Sequence, residues 1–340
     1  MTDIRVALVG YGMAGRQFHA PLLRAVDGMH LTHVVTGDPE RAAAARDECD
    51  GAVVVGSLEA LWSASDDLDL VVLASPTKVH ADQALQAVRR GLAVVVDKPL
   101  TVTAAEAREV AAAAATNGVL LSVFQNRRWD PEHLTAKAVL AAGTLGELVR
   151  YEARYERWRP VPKDRWREHS TSADGGGIIL DLQSHLVDSA LDLLGPAVSV
   201  YAETAAFTTV GEDVAFLALR HASGVVSHLG TTSLAGAPGP RTRLLGRDGT
   251  YLVAGIDQDP TALSAWADPD ADHRGWLLRG EEAEPVRRAP GEWADYYIGV
   301  RDALAGGGSP PVTAEEAVAV MTVLDAARRS AAGNAVVTLS

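Results

Sequence analysis

Lysine is scarce in this chain: of 31 lysines and arginines, only Lys78, Lys98, Lys137 and Lys163 are lysines. Lys98 follows the run Leu92-Ala93-Val94-Val95-Val96-Asp97 and precedes Pro99. The carboxyl end of a buried parallel strand is where open α/β sheets hold their ligands. An ammonium there can hydrogen-bond a reacting hydroxyl and stabilise the negative charge that grows on its oxygen. The plainer alternative is a strand-end lysine reaching solvent, and the short motif by itself favours that reading. Pro99 fixes the backbone just beyond and is compatible with a cis bond. A second pair with chemical reach is Asp181 and His185, in Asp181-Leu182-Gln183-Ser184-His185. On a helix, i, i+4 spacing places them on one face. Histidine titrates near neutrality and suits removal of a hydroxyl proton, while the carboxylate can orient the ring or hold a neighbouring hydroxyl. Taken alone, His185 reads more readily as a packed or surface histidine. No third ligand stands at a credible spacing, so no metal is expected.

The turn Gly10-Tyr11-Gly12-Met13-Ala14-Gly15 is a G-x-G-x-x-G sequence placed directly after an apolar strand and before a helix, the context that a dinucleotide fingerprint requires. Gly10 permits the tight turn, Gly12 admits the pyrophosphate to the backbone, and Gly15 lets helix and strand pack closely, with the helix N-terminus facing the phosphates. The second strand runs out through Val34-Val35-Thr36-Gly37-Asp38-Pro39-Glu40-Arg41. An acid at that tip accepts from the ribose hydroxyl of NAD, whereas NADP needs the acid absent and a cation nearby. Gly37 at the tip with Arg41 a helical turn later favours NADP over NAD, although Asp38, one residue on, restores an acid if the tip is shifted. Arg41 reads equally well as a phosphate contact and as a solvated helix-face charge.

These residues need elements to position them. Short apolar runs at 4–9, 31–35, 53–55, 70–73, 92–96 and 119–123 alternate with helical segments at 18–25, 39–48, 58–63, 80–90 and 103–116. That rhythm predicts a doubly wound parallel α/β sheet over residues 1–124. Strands then become longer and polar-alternating, at 148–157, 199–208, 214–220 and 225–232, with a hairpin about Arg247-Asp248-Gly249. Residues 125–340 therefore read as a second, α+β domain with a large, mostly antiparallel sheet. Residues 257–290, rich in Asp, Pro and Gly, read as an excursion loop. A last helix at 314–332, capped by Thr313, can pack back on the first domain.

Composition agrees with this reading and narrows the partners. A chain of 340 residues favours two domains, and 47% hydrophobic with 22% charged residues is ordinary for a globular protein. A formal charge of −13 excludes nucleic acid and anionic membrane as main partners. A single cysteine, Cys49, offers no intrachain disulfide. The opening Met1-Thr2-Asp3-Ile4-Arg5 has no basic region followed by an apolar core, and no later run approaches a membrane span, so a cytoplasmic address is expected.

Taken together, the motifs resemble the Gfo/Idh/MocA oxidoreductase family. The resemblance rests on the glycine turn with Phe18-His19-Ala20-Pro21-Leu22, on Ser75-Pro76-Thr77 with His80, and on Asp97-Lys98-Pro99. It continues through Gln125-Asn126-Arg127-Arg128-Trp129-Asp130, Asp164-Arg165-Trp166-Arg167-Glu168, Gly175-Gly176-Gly177, Asp181 to His185 and Pro311-Val312-Thr313-Ala314-Glu315-Glu316-Ala317. The Asn-Arg-Arg-Trp-Asp and Arg-Trp-Arg-Glu elements look most like the branch containing NADP-dependent scyllo-inositol dehydrogenases.

The resemblance implies hydride transfer between NAD or NADP and a secondary hydroxyl of a cyclic polyol or sugar. Lys98 would lie at the reacting hydroxyl, His185 would be the acid/base, and Asp181 would complete the catalytic group. Asp97 stands where the family has glutamate. Cofactor contacts are expected from Gly10, Tyr11, Gly12, Met13, Ala14, Gly15, Thr36, Gly37, Arg41, Ser75, Pro76, Thr77, His80, Asp97, Lys98, Pro99, Asn126, Trp166 and Arg167, with His80 at a helix start that closes over the cofactor. Substrate contacts are expected from Lys98, Arg127, Trp129, Asp181, His185 and Tyr297. Gln183 replaces a glycine common in the family, and its larger side chain is expected to narrow the pocket or to change which sugar hydroxyls fit. Relatives associate through the second domain's sheet, so a homodimer or homotetramer is implied. The same resemblance leaves two alternatives: an NAD-dependent glycoside hydrolase and a cofactor-binding sensor without turnover.

Overall fold

The computed structural model describes residues 3–64, 67–255 and 266–339. Met1, Thr2 and residues 257–265 of the expected excursion loop lie outside the described residues. The chain divides into two compact units, Met1–Asn126 with Trp293–Met321, and Arg127–Glu292 with Thr322–Ser340.

The first unit is built on strands β1 (Ile4–Val9), β2 (Met29–Val35), β3 (Val53–Val55), β4 (Leu70–Leu73), β5 (Ala93–Asp97) and β6 (Leu121–Phe124). They pair in parallel in the order β3-β2-β1-β4-β5-β6. β4 and the valines of β5 are buried along their whole length, which is why they read as unbroken apolar runs. The crossovers carry α1 (Ala20–Ala25), α2 (Pro39–Glu48), α3 (Leu58–Ala64), α4 (His80–Val88) and α5 (Ala104–Asn117). A capping box, in which Thr103 Oγ1 accepts from Glu106 N and Glu106 returns to Thr103 N, starts α5; Gly118 at φ +64° ends it. Strand order reverses between β1 and β4, and a crevice forms beyond the carboxyl ends of such a pair.

The second unit holds a nine-stranded sheet in the order β14-β13-β12-β11-β7-β10-β9-β8-β15. Its strands are β7 (Leu148–Glu156), β8 (Ala197–Ala205), β9 (Val214–His221), β10 (Val226–Thr232), β11 (Thr242–Gly246), β12 (Thr250–Val253), β13 (His273–Arg279), β14 (Glu282–Arg287) and β15 (Val337–Thr338). Among the described residues, only β7 and β10 of this sheet pair in parallel. Helices α6 (Pro131–Ala141), α7 (Trp166–His169) and α8 (Ser184–Leu194) belong to this unit, α9 (Ala294–Leu304) to the first, and α10 (Ala314–Gly333) runs from the first into the second. Arg128 clamps Asp188 of α8 through two hydrogen bonds, Nε to Oδ2 at 3.0 Å and Nη2 to Oδ1 at 2.8 Å, both side chains being buried.

One expected element changes character. Residues 257–290 are not all loop: β13 and β14 form an antiparallel hairpin that extends the sheet through β12. β14 is an exposed edge strand of sequence Glu-Ala-Glu-Pro-Val-Arg, and an edge with charges and a proline carries no apolar alternation by which to be read.

Candidate active site

The glycine turn sits at the strand-order reversal. A methyl group on Gly10, whose φ is +98°, would lie 2.6 Å from Ala74 O at the end of β4, and one on Gly15 would collide with Gly10 O. Gly12 differs: its methyl would meet only Arg41 Nη1, at 3.6 Å, among the described residues. The open space is therefore above Gly12, where backbone can approach a pyrophosphate, and the residues present fit the dinucleotide that the turn implies. Met13 is exposed. Gly15 opens a single π-helical turn, Gly15–His19, that runs into α1. Tyr11 lies within the glycine turn. Its side chain is buried, its hydroxyl donating to Glu48 Oε2 at 2.9 Å beside Cys49 Sγ, so only its backbone faces the turn.

At the tip of β2, Thr36 N bonds Val55 O and Gly37 packs near Gly56 O. Asp38 is the N-cap of α2: its Oδ1 accepts from Arg41 N at 3.0 Å, and its Oδ2 lies 3.8 Å from Arg41 Nε. The acid one residue beyond the tip is thus engaged by the helix end, while the Arg41 guanidinium lies beside Gly12.

β5 ends at Asp97, whose Oδ1 accepts from Lys98 N at 3.0 Å, and the Lys98–Pro99 peptide is cis. His19 Nε2 stands 3.6 Å from the same Oδ1, and His19 Nδ1 lies 2.6 Å from Tyr297 Oη. Burial pushes the Asp97 carboxyl up, but His19 and the charges of Lys98 and His80 outweigh it and hold the group below its ordinary range. Burial drives the Tyr297 hydroxyl well above its ordinary value, so it stays a phenol. Tyr297 has no exposed surface and packs on Phe124 and Tyr296. It is a core residue of the first unit that reaches Asp97 through His19, not a side chain open to substrate.

His80 is also buried, with Nδ1 3.1 Å from Pro99 O and Nε2 2.8 Å from Ser75 O. It braces the loops after β4 and β5 from within, at the start of α4. Ser75 Oγ donates to Gln83 Oε1, Thr77 is buried, and Pro76 is exposed between them. Asn126 is buried at the start of a 3-10 turn, Asn126–Trp129.

In the second unit, Asp181 and His185 do not share one regular helix. Asp181 lies in a π-helical turn, Ile179–Gln183, and His185 is in the first turn of α8. The wider turn shifts the two residues apart in angle relative to i, i+4 on an α-helix. His185 is buried with its ring 6.2 Å from that of Tyr155, and Asp181 lines a cavity of about 570 Å³, open solvent included. Arg167 Nη1 is 3.3 Å from Asp181 Oδ1, and its guanidinium covers the half-exposed Trp166 ring at 4.9 Å. Arg127 pairs with Asp130 at 3.0 Å and lines a separate hollow with Glu132, Tyr151 and Arg241; Trp129 closes the same 3-10 turn. Gln183 overturns its expectation. It is fully buried and its Nε2 donates to Leu229 O at 2.9 Å and Ala215 O at 3.3 Å, so it ties the turn to the sheet and does not narrow the cavity.

The residues expected to do chemistry thus fall into two sets, Lys98 with its cofactor neighbours in the first unit, and Arg127, Trp129, Trp166, Arg167, Asp181 and His185 in the second. Two features escaped the sequence reading. His19 is legible only as a histidine following the glycine turn. The other is a run of five cations, Arg157, Arg159, Lys163, Arg165 and Arg167, in a net acidic chain, all lining the Asp181 cavity.

Residues 4–125 match the oxidoreductase family with an NAD-binding Rossmann fold, and residues 133–252 match the GFO/IDH/MocA C-terminal domain. The chain belongs to the Gfo/Idh/MocA oxidoreductase family. Within that family it is 35% identical to oxidoreductase YdgJ of Escherichia coli, across 99% of both chains. It is 33% identical to the scyllo-inositol 2-dehydrogenase (NADP(+)) IolW of Bacillus subtilis, across 96% of this chain and 93% of that one. An NAD(+) scyllo-inositol 2-dehydrogenase of the same organism is 29% identical across 58% of this chain. The YvaA structure from Bacillus subtilis superposes with a TM-score of 0.87 at 30% identity, covering 99% of this chain and 100% of its own. A parallel six-stranded Rossmann sheet together with a mostly antiparallel nine-stranded sheet in one chain is the Gfo/Idh/MocA architecture. Among the described residues, no helix is long and apolar enough to cross a membrane.

Proposed function

We propose that this oxidoreductase moves hydride reversibly between a nicotinamide dinucleotide and a secondary carbinol of a cyclic polyol or sugar, with NADP preferred to NAD. The observation that carries the reading is Lys98 at the end of β5, next to an ionised and oriented Asp97, in a chain of this family. The bound dinucleotide supplies the hydride-accepting ring. Lys98 holds the reacting oxygen and favours the charge that grows on it as hydride leaves carbon. His185 takes the hydroxyl proton, and Asp181 positions the polyol for that transfer. Arg41 beside Gly12, with Asp38 committed to the cap of α2, supports the preference for a 2′-phosphate. The 33% identity to IolW across 96% of this chain supports an inositol-like substrate. A homodimer or homotetramer in the cytoplasm is the setting proposed with it, checked by light scattering and fractionation.

A cofactor-reduction screen of inositols, aldoses and deoxysugars with NADP and NAD in parallel tests the reading. The expected result is reduction of NADP by at least one cyclic polyol, at a higher kcat/KM than with NAD. Cleavage of a glycoside without net cofactor reduction would replace it by the hydrolase alternative. Lys98→Met is expected to lower kcat by about 10²- to 10⁴-fold with cofactor affinity retained. An undiminished rate removes Lys98 from the mechanism.

A further inference from the structure

Beyond β7 the chain stays extended. Arg157 N donates to Thr232 O at 2.9 Å, Arg159 N donates to Ser233 O at 2.7 Å, and Trp158 bridges to Leu234. Side chains two apart on an extended backbone point the same way. Arg157 and Arg159 accordingly both line the Asp181 cavity, while Trp158 between them is exposed. Lys163 lines the same cavity.

The carboxylates there are already engaged. Asp181 faces Arg167, and Glu168 accepts from Arg165 Nε at 2.9 Å. Glu212 accepts from the Ser172 hydroxyl and from Ile179 N, and Asp213 from the backbone of Phe207 and Thr208. Among the described residues, no carboxylate lies within ion-pair distance of Arg157, Arg159 or Lys163, and no side-chain hydrogen bond occupies them. Two guanidinium groups are therefore held side by side on fixed backbone with no carboxylate in direct contact; the opposing charge that acts on Arg157 is that of Asp181, itself paired with Arg167. Partial burial and the neighbouring Arg159 lower the pKa of Arg157, the direction expected of a cation kept next to a like charge. A neutral polyol offers nothing to relieve that repulsion. An oxyanion does, through the paired N–H groups that guanidinium presents to carboxylate or phosphate. The cluster also offsets, locally, the repulsion that a chain of charge −13 exerts on an anion.

We propose that Arg157, Arg159 and Lys163 bind a compact oxyanion, a carboxylate or a phosphate, carried by the sugar or polyol substrate, so that the enzyme prefers a sugar acid or sugar phosphate to its neutral parent. The inference rests on the cavity being the substrate cavity of the proposed dehydrogenase.

Calorimetric titration of the full chain, with and without NADPH, with D-glucose, D-glucuronate and D-glucose 6-phosphate tests binding apart from turnover. At least one of the two anions is expected to bind about 10- to 100-fold more tightly than glucose, and which one does assigns the source of the oxyanion. The advantage should shrink as salt rises and should be lost in Arg157→Gln/Arg159→Gln. Lys163→Gln, at an exposed position, should reduce it in part. Equal binding of all three sugars, or an anion preference indifferent both to salt and to Lys163→Gln, overturns the proposal. Cofactor reduction is then read separately. An anion bound at these residues but not oxidised, with every neutral polyol also inert, keeps the anion site and overturns the dehydrogenase reading. Neutral and anionic substrates oxidised with the same kcat/KM overturn the anion site and leave the dehydrogenase reading standing.

Discussion

His19 is the residue whose importance became visible only through its neighbours. His19 Nε2 faces the Asp97 carboxylate at 3.6 Å, and its Nδ1 lies 2.6 Å from the hydroxyl of Tyr297, which burial keeps a phenol. The chain Tyr297, His19, Asp97 then keeps Asp97 charged and turned toward Lys98 N, making His19 a positioning residue for the proposed lysine. His19→Leu is expected to lower kcat/KM about tenfold with cofactor affinity little changed, and His19→Gln, which restores an N–H donor, to recover most of it. The pH profile separates this from a packing defect. His19 holds the Asp97 pKa down, so its loss raises that pKa, and the acid limb of kcat/KM should move to higher pH in the leucine variant. An acid limb that stays in place in His19→Leu would contradict the assignment. None of this was legible in sequence beyond Asp97-Lys98-Pro99 itself, because residues 19, 97 and 297 come from three distant segments.

At the scale of elements, the two glycines of one turn make opposite predictions. Gly15 is hemmed in by Gly10 O, so Gly15→Ala should destabilise the first unit, by about 1–3 kcal/mol from overpacking, in denaturant titration of the apoprotein. Gly12 faces open space, so Gly12→Ala should fold with stability within about 0.5 kcal/mol of the parent yet bind cofactor at least tenfold more weakly. If the two variants lose stability alike, the turn is only a tight packing corner. The π-helical turns at Gly15–His19 and Ile179–Gln183 were invisible to a periodicity argument, since an extra residue in one turn changes the angular offset without changing composition. Gln183 shows the consequence. The resemblance put it in the pocket as a replacement for glycine; in the wider turn its amide reaches the carbonyls of β9 and β10.

Over the whole molecule, the second unit depends on charges that its sequence does not advertise. Glu132 of α6 takes Arg241 Nε at 3.4 Å and Arg274 Nη2 at 3.3 Å, together with the Thr242 hydroxyl, joining the helix to β11 and β13. Burial raises its pKa, but the two arginines prevail and hold it below 4.5. Because the folded value is depressed, its stabilisation is present above pH 4.5 and is lost as pH falls through the folded pKa. Glu132→Gln should therefore cost about 3–5 kcal/mol at neutral pH, having left the buried Arg241 without its carboxylate and Arg274 with Asp268, and should flatten the loss of stability below pH 4.5. Urea titrations from pH 7 to about pH 3 read both effects, and parallel curves for parent and variant would refute the linkage. What the sequence by itself determined were the features carried by neighbours along the chain: the β-α rhythm of the Rossmann sheet, the glycine turn, the cap at Thr313, the hairpin at Asp248 and the motif residues of the family. Those depend on local periodicity and backbone chirality, which a few consecutive residues specify. Only the tertiary structure decided that Tyr11, His80, Gln183 and Tyr297 turn inward, that β13 and β14 join the sheet, and that Arg157 and Arg159 share a cavity with Asp181. Burial and electrostatic pairing are properties of groups brought together from remote positions, and no window along the chain contains both partners.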